Sequence, residues 1–375
     1  MKIAIHQPRL SYYYGGGERV PLEQASYFSK LGNEVFIITT NVKNKSKLFL
    51  DFQKNNPRVK IIRLKPTDKL KAIYKKELGQ NRYRIDAESL EFGRMTKKFY
   101  LKNQFDIVAT HYSVDSLYIP RNQYVILELH GCPKNRRNID GHSLKRANAL
   151  VCVAKYVGDY WKQMYSIKEQ IYLTYNGIDN KYFQPKKLQK TYDVLYVGRL
   201  IKIKGVDDLL QSLKYVIQQG TSTRIAIIGN GPESNNLHAL SKKLKIDGYI
   251  DWKSSVSDSE LLDLYNASKV CVFPSTAKEG VLTTLLEAAA CGSAVVTTKC
   301  CGMPEFIEHD VNGLLVKPHN PKELGNSIER LLEDSQLRKC LGKNARTKIN
   351  RHWTWEKRAK ELVKVYEECV KDQAI

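Results

Sequence analysis

The chain has 375 residues, 42% of them hydrophobic and 27% charged, a composition that predicts a folded protein of two or three domains. Its apolar runs are too short for a membrane-spanning helix and its first residues too weakly apolar for a signal peptide, so we expect a cytoplasmic protein. The formal net charge of +22 favours phosphate-bearing partners, although a solvated lysine-rich surface would have the same charge.

Segments typical of strands and helices alternate from the first residues onward. Residues 2–5 predict a strand, residues 22–31 a helix closed by Gly32, and residues 35–39 a second strand, which together make a βαβ unit. The same patterns predict further strands at residues 59–64, 106–110, 124–129, 149–153 and 171–174.

The alternation starts again in the second half of the chain. Strands are predicted at residues 193–197, 224–228, 249–252, 270–273, 294–297 and 314–316, with a last helix over residues 353–370. Two such series predict an α/β protein with two doubly wound domains, at residues 1–180 and 181–350. Residues 179–190 would form the hinge, the ligand would bind between the domains, and the C-terminal helix, residues 351–375, would pack on the first domain.

Two glutamates eight positions apart, Glu279 and Glu287, are the most informative pattern. Glu287 lies within an apolar helical run, where an ionised carboxylate needs a partner such as a ligand; the alternative is a glutamate that faces water. On one helix the pair would be separated by about 12 Å, more than the roughly 5–9.5 Å of a hydrolase pair. The spacing therefore favours one extended ligand held at two points.

Three further groups follow predicted strands, where ligands of such sheets bind. Arg199 and Lys204, in the segment Gly198 to Gly205, could bind a diphosphate or form a solvated basic turn. The three glycines at residues 15–17 could let a phosphate approach and bind backbone N–H groups, or they could form an adjustable loop. His111 could donate a hydrogen bond to a sugar hydroxyl or be structural, and His130 is a weaker case of the same kind.

Eight cysteines without C-x-x-C spacing predict reduced thiols and no zinc site. Together the motifs resemble the retaining nucleotide-sugar glycosyltransferases of family four, which have the GT-B fold of two Rossmann-like domains facing a central cleft. The resemblance covers nearly the whole chain. It depends on E-x7-E at Glu279 and Glu287, G-R-x4-K-G at residues 198–205, the glycine loop, and the Asn-Gly-Ile-Asp segment at residues 176–179.

The resemblance implies a role for each matching residue. The donor diphosphate would contact Arg199, Lys204, Gly16, Gly17, Leu282 and Thr283. Glu287 would bind the nucleotide ribose, and Glu279 and His111 would lie at the transferred sugar as the catalytic residues. Such transfer retains anomeric configuration and needs no metal or other cofactor. Leu282 stands where many members have a glycine, and His111 alone matches their H-x-H ending.

In such enzymes the acceptor binds the first domain, which is also the more basic one. Residues 43–102 hold 18 basic and 6 acidic residues and are predicted to be mostly helical after residue 66. We expect this segment to contact an anionic membrane surface and a lipid-linked diphosphate acceptor, with the protein peripheral to the membrane. The acceptor of the reaction would be a glycan or a lipid-linked molecule. The synthesis of cell-surface polysaccharide or glycoconjugate would use such a reaction.

Two other functions remain open at the level of sequence. A sugar-nucleotide epimerase or a phosphorylase would share the fold. A nucleic-acid-binding protein would account for the charge, but the chain contains no recognisable nucleic-acid module, and we expect no nucleic-acid partner.

Overall fold

The computed structural model describes residues 1–13, 16–75, 82–220 and 223–371 and divides the chain into two compact units. Unit 1 is Met1–Asn176 together with Trp355–Ile375, and unit 2 is Gly177–Thr354. No helix within the described ranges has the length and apolar character needed to cross a bilayer.

Unit 1 contains a seven-stranded parallel sheet in the order β3-β2-β1-β4-β5-β6-β7. Its strands are β1 (Lys2–His6), β2 (Glu34–Thr40), β3 (Lys60–Leu64), β4 (Ile107–Thr110), β5 (Val125–Leu129), β6 (Ala149–Cys152) and β7 (Ile171–Leu173). Its helices are α1 (Gly16–Lys30), α2 (Lys47–Asn55), α3 (Asp68–Lys75), α4 (Arg82–Lys102), α5 (Asn138–Arg146) and α6 (Lys155–Tyr165), with α14 (Trp355–Lys371) added from the end of the chain.

Local sequence explains where these elements begin and end. Strands β1, β2, β4 and β5 are apolar and mostly buried, as expected for a parallel sheet covered on both faces. Helix α1 ends at Lys30, and Gly32 follows in the left-handed region with φ of 86°, so the predicted closing glycine is confirmed. Ser46 caps α2 by accepting a hydrogen bond from the Phe49 amide.

Helix α14 is part of the core of unit 1. Leu362 and Tyr366 are buried in the same cluster as Leu22 and Phe28 of α1, and the rings of Phe28 and Tyr366 meet edge to face at 5.6 Å. The C-terminal segment is therefore held by apolar burial against the first helix of the chain.

Unit 2 contains a six-stranded parallel sheet in the order β10-β9-β8-β11-β12-β13. Its strands are β8 (Tyr192–Val197), β9 (Ile225–Ile228), β10 (Ile250–Lys253), β11 (Ser268–Phe273), β12 (Ala294–Thr298) and β13 (Leu314–Val316). Its helices are α7 (Val206–Gln218), α8 (Ser234–Lys243), α9 (Asp258–Ala267), α10 (Thr283–Ala290), α11 (Met303–Phe306), α12 (Pro321–Glu333) and α13 (Ser335–His352).

The stretch that the sequence assigns to a hinge, residues 179–190, lies within unit 2 and is bound to it. The Lys186 amide donates to the Asn266 side chain at 2.6 Å, and the Lys190 ammonium donates to two backbone carbonyls, at Asn266 and Ser268. Burial lowers the pKa of Lys190. The chain passes from unit 1 to unit 2 between residues 176 and 177 and returns to unit 1 between residues 354 and 355.

Candidate active site

The segment that begins at Gly198 forms a compact turn after β8. A short 3-10 helix, Lys202–Lys204, leads to Gly205, whose φ of 63° is in the left-handed region. A Cβ at Gly205 would lie 2.1 Å from the Pro274 carbonyl oxygen, so a glycine is needed there for close approach. Pro274 follows β11 directly, and the turn therefore packs against the chain that leads to Glu279.

Lys204 and Glu279 form an ion pair. The Lys204 Nζ lies 2.7 Å from Glu279 Oε1 and 2.9 Å from Oε2, and the two side chains are 13% and 15% exposed. Burial and the Glu279 charge raise the pKa of Tyr196 above its usual range. The exposed Arg199 is close enough to Tyr196 to offset part of this rise. Thus the two motifs, far apart in sequence, are brought together at the carboxyl ends of β8 and β11.

Helix α10 begins directly after this cluster. Leu282 is its N-cap residue and supplies no side-chain hydrogen bond to the first turn, and Thr283 is the first helical residue. The first amides of a helix lack intrahelical partners and attract anions. Leu282 is half-buried, and its backbone conformation, with φ of −69° and ψ of 132°, is one that leucine adopts freely.

Glu287 lies one turn further along α10 and is only 5% exposed, so the alternative in which it faces water is wrong. The buried Tyr265 hydroxyl, on α9, donates to Glu287 Oε2 at 2.8 Å. Burial and the Glu287 charge together raise the pKa of Tyr265 well above its usual value. The carboxylate is thus held in a fixed position by a protein partner that sequence reasoning did not find.

A cavity of about 320 Å³ lies beside the same turn. Its lining includes Leu200, the loop residues Gly229 and Asn230, and the end of β10 at Trp252 and Lys253. The Trp252 indole Nε1 is buried and has no hydrogen-bond partner among the described residues. A second cavity, of about 390 Å³, lies at the opposite ends of β9 and β10.

Unit 1 contains the other predicted catalytic residue, His111, directly after β4. Its Nδ1 lies 2.9 Å from Nε2 of His130, which follows β5, because β4 and β5 are neighbours in the sheet. Glu128, the fourth residue of β5, faces both rings: its Oε2 lies 3.7 Å from His111 Nδ1 and 3.5 Å from His130 Nε2. Glu128 and His111 are buried, whereas the His130 side chain is 21% exposed.

Two more side chains hold Glu128 in place. Tyr366 of α14 donates to Oε1 at 2.6 Å, and Gln24 of α1 donates to Oε2 at 2.8 Å. Burial acts to raise the pKa of Glu128, but the nearby imidazoles and the Tyr366 hydrogen bond lower it to about 2. Burial lowers the pKa of His111 to about 4, so His111 is neutral at physiological pH and Glu128 is ionised. The Nε2 of His111 is buried without a partner among the described residues.

The glycine loop is described only in part. Gly15 lies outside the described residues, Gly16 begins α1, and a Cβ at Gly17 would have no atom of the described residues within 4 Å. The start of α1 therefore has open space around Gly17. Sequence reasoning named the histidines and the glycines of this unit but missed Glu128, although a carboxylate in an apolar strand is the same signal that identified Glu287.

Two family models cover most of the chain. Residues 14–182 match the model described as Glycosyltransferase Family 4, and residues 178–348 match the model described as Glycosyl transferases group 1. The chain belongs to the GT4-type glycosyltransferases. Its two parallel α/β units are those of the GT-B fold, as the sequence predicts.

Individual relatives agree with this family. The chain is 27% identical to an uncharacterised glycosyltransferase of Methanocaldococcus jannaschii over 60% of either chain. It is 28% identical to the capsular polysaccharide biosynthesis glycosyltransferase CapM of Staphylococcus aureus, over 54% of this chain and 53% of the relative. The chain thus spans only about half to two-thirds of the length of these curated relatives.

A solved structure of the same fold is that of Anabaena HepE in complex with UDP-glucose. It superimposes with a TM-score of 0.78 at 16% identity and covers 98% of this chain and 100% of HepE. At this level of identity the likeness shows a shared fold.

Proposed function

We propose that this chain transfers a sugar, with retention of anomeric configuration, from a nucleotide-diphosphate sugar to a hydroxyl of a glycan or lipid-linked acceptor. The observation that carries this proposal is the Lys204–Glu279 ion pair, which joins two motifs that the family uses for the donor. A polysaccharide or glycoconjugate of the cell surface is the product class that best fits CapM among the relatives.

In this proposal unit 2 binds the donor along the start of α10. Arg199 and Lys204 contact the diphosphate, the amides of Leu282 and Thr283 add hydrogen bonds to it, and Glu287 accepts from the ribose hydroxyls. Each charge-assisted hydrogen bond contributes roughly 1.5–3 kcal/mol. Because Tyr265 fixes Glu287 before the donor arrives, little conformational freedom is lost when the ribose binds.

The cavity between Leu200 and Trp252 would receive the nucleobase. Leu200, which lines the cavity, directly follows Arg199 in the sequence, and the aromatic side chain of Trp252 lines it as well. A planar heterocycle could pack against the Leu200 and Trp252 side chains that line the cavity.

The chemistry would come from charge stabilisation. As the bond to the transferred sugar breaks, negative charge develops on the leaving diphosphate, and Arg199, Lys204 and the positive end of α10 stabilise it. His111 of unit 1, which the resemblance implies at the transferred sugar, is neutral and buried, whereas the neighbouring His130 is the more exposed of the two rings. Neither Glu279 nor Glu287 would need to attack the sugar as a nucleophile.

The acceptor would bind through unit 1, whose basic segment also favours an anionic membrane surface. The lysines whose exposure is described within residues 43–102 are largely exposed, and exposed apolar side chains lie among them at Leu50, Tyr83 and Leu101. Lysines beside exposed apolar groups are typical of proteins that bind at a lipid interface.

Donor screening by thermal shift tests the proposal. UDP-glucose and other nucleotide sugars, at about 100 times Kd, should stabilise the protein by about 2.7 kcal/mol. The variant Glu287→Gln, which keeps the size of the side chain, should lose most of this stabilisation, because a neutral amide accepts ribose hydrogen bonds less strongly. Equal stabilisation of the variant and the natural protein would remove Glu287 from the donor site.

A further inference from the structure

We propose that Cys300 and Cys301 form a reversible oxidation site that regulates the donor-binding segment of unit 2. The two cysteines are adjacent in sequence and follow β12, and their Sγ atoms lie 2.7 Å apart. Both residues are half-buried, whereas Cys152, Cys271 and Cys369 are no more than 3% exposed. A dissolved oxidant therefore has access to the pair that it lacks to these core thiols.

The oxidant for this site is a peroxide. One thiolate attacks hydrogen peroxide and breaks its O–O bond, which gives a sulfenic acid and water. The neighbouring thiol then attacks the sulfenic sulfur, an S–S bond forms, and the oxygen leaves as a second water. In total two thiols are oxidised to one disulfide and one hydrogen peroxide is reduced to two waters. An added dithiol such as dithiothreitol reverses the step by thiol–disulfide exchange.

The backbone of the pair must change when the disulfide forms. The peptide bond between Cys300 and Cys301 is trans, which places their Cα atoms about 3.8 Å apart. The Cα atoms of disulfide-bonded cysteines are usually about 4.4–6.8 Å apart. Cys301 moreover has φ of 58°, in the left-handed region that few residues other than glycine adopt. Oxidation therefore alters the backbone dihedrals at this point of the chain.

The residue after the pair is in direct backbone contact with the donor motif. The Gly302 amide donates to the Glu279 carbonyl oxygen at 3.1 Å. A Cβ at Gly302 would lie 2.6 Å from the Gly280 carbonyl carbon and 2.8 Å from the Val281 nitrogen, so the two segments leave no space between them. A backbone change at residues 300–301 therefore displaces the segment that leads from Glu279 into α10.

The surroundings of the pair keep it reduced until peroxide is sustained. The hydrogen bond with Cys301, burial and the Glu279 charge all raise the pKa of Cys300. A raised pKa lowers the fraction of thiolate, which is the form that attacks peroxide, so oxidation is slow. This thiol chemistry does not depend on the proposed function, whereas its effect on donor binding rests on it.

Peroxide treatment of the full chain tests the site. The tryptic peptide that begins at Cys300 contains both thiols and no other cysteine, and mass spectrometry should show that it loses two hydrogens and regains them with dithiothreitol. Amide hydrogen exchange over residues 279–283 should become faster in the oxidised protein. The affinity for UDP-glucose, measured by calorimetry, should fall at least about tenfold, as expected when one charge-assisted hydrogen bond is lost.

Two variants separate this pair from the other thiols. Cys300→Ser should bind UDP-glucose as the reduced natural protein does and should keep that affinity after peroxide, because no disulfide can form. The control Cys340→Ser, at an exposed cysteine of α13, should lose affinity after peroxide as the natural protein does. Far-UV circular dichroism checks that both variants are folded.

Several results would overturn the oxidation site. Peroxide could leave both thiols intact or convert one of them to a sulfinic acid without a disulfide. The disulfide could form while exchange over residues 279–283 stays the same. Cys300→Ser could remain as sensitive to peroxide as Cys340→Ser. If the reduced natural protein bound no nucleotide sugar, the proposed function would fail instead, and the mass and exchange measurements would still decide the oxidation site.

Discussion

Lys204, a proposed ligand of the donor diphosphate, is already held in place by a protein partner. Its ammonium is paired with both oxygens of Glu279, so the long side chain is already held at the carboxyl end of β8. A diphosphate would compete with Glu279 for this charge but would find the lysine in place. The cost is that part of the attraction between lysine and phosphate is offset by the nearby carboxylate.

The first prediction compares two lysines of the same turn. Lys204→Ala should abolish the thermal stabilisation by UDP-glucose, because the diphosphate loses a charge-assisted bond worth roughly 1.5–3 kcal/mol. Lys202→Ala should keep it, since Lys202 is exposed and lies two residues away in the same short helix. Differential scanning fluorimetry measures both, and equal losses in the two variants would argue for a general effect of charge.

The second prediction concerns the partner of Glu287. Tyr265→Phe keeps the buried ring but removes the hydroxyl that donates to Glu287 Oε2. Because a buried acceptor is then left without its donor, the free energy of unfolding should fall by about 1–3 kcal/mol, which urea unfolding measures. Tyr215→Phe, at a tyrosine that is 49% exposed on α7, should change stability by no more than about 0.5 kcal/mol. If the stability of Tyr265→Phe equals that of the natural protein, the hydroxyl does not hold the carboxylate.

At the scale of elements, sequence patterns predicted most of the fold. Every predicted strand is present within two residues of its expected ends, because apolar β-branched runs between turn signals are local properties of the chain. The pairing of Glu128 with Tyr366 could not be predicted in this way, since 238 positions separate the two residues. The sequence pattern at Glu128, a charged residue inside an apolar strand, does indicate a buried carboxylate that needs a partner.

The basic segment after residue 66 was predicted as mostly helical and forms two helices, α3 and α4, with residues 76–81 between them outside the described residues. Periodicity indicates such helices, but it does not indicate which lysines are paired. Lys71 is paired with Asp68, for example, whereas Lys97 and Lys98 are exposed. Net charge therefore overstates the number of free cations on this surface.

The third prediction tests how α14 contributes to unit 1. Leu362→Ala removes a side chain that is 3% exposed from the cluster shared with α1 and should destabilise the protein by about 2–5 kcal/mol. Lys364→Ala, at an exposed position of the same helix, is the control and should be close to neutral. Urea unfolding monitored by circular dichroism compares them. A small effect of Leu362→Ala would show that α14 contributes little to the stability of unit 1.

The fourth prediction concerns the membrane surface. Vesicles rich in anionic lipid should sediment the natural protein at low salt, since each lysine near such a surface contributes about 1 kcal/mol. Changing Lys97 and Lys98 of α4 to Glu should release it, whereas changing the exposed Lys242 and Lys243 of α8 to Glu should not. Both double variants alter the net charge equally, so equal release would indicate a non-specific charge effect, and salt-independent binding would contradict the proposal.

At the scale of the whole molecule, the chain consists of two units of the same α/β type with different chemical groups. Unit 2 holds two carboxylates and two basic residues around the start of α10, whereas unit 1 holds two histidines that follow neighbouring strands and a buried glutamate near the end of one of them. The same fold thus positions groups at the carboxyl ends of strands in both units, and the residues after each strand determine the chemistry.

The last prediction separates transfer from the other reactions that this fold supports. A transferase should release nucleoside diphosphate from UDP-sugar at a steady rate only when an acceptor hydroxyl is supplied. An epimerase would convert the donor sugar without releasing diphosphate, and a phosphorylase would need inorganic phosphate in place of the nucleotide. Proton NMR of the product should show the anomeric configuration of the donor. Because a single displacement by the acceptor hydroxyl would invert that centre, an inverted product would contradict the retaining reaction, even if diphosphate release depended on the acceptor as expected.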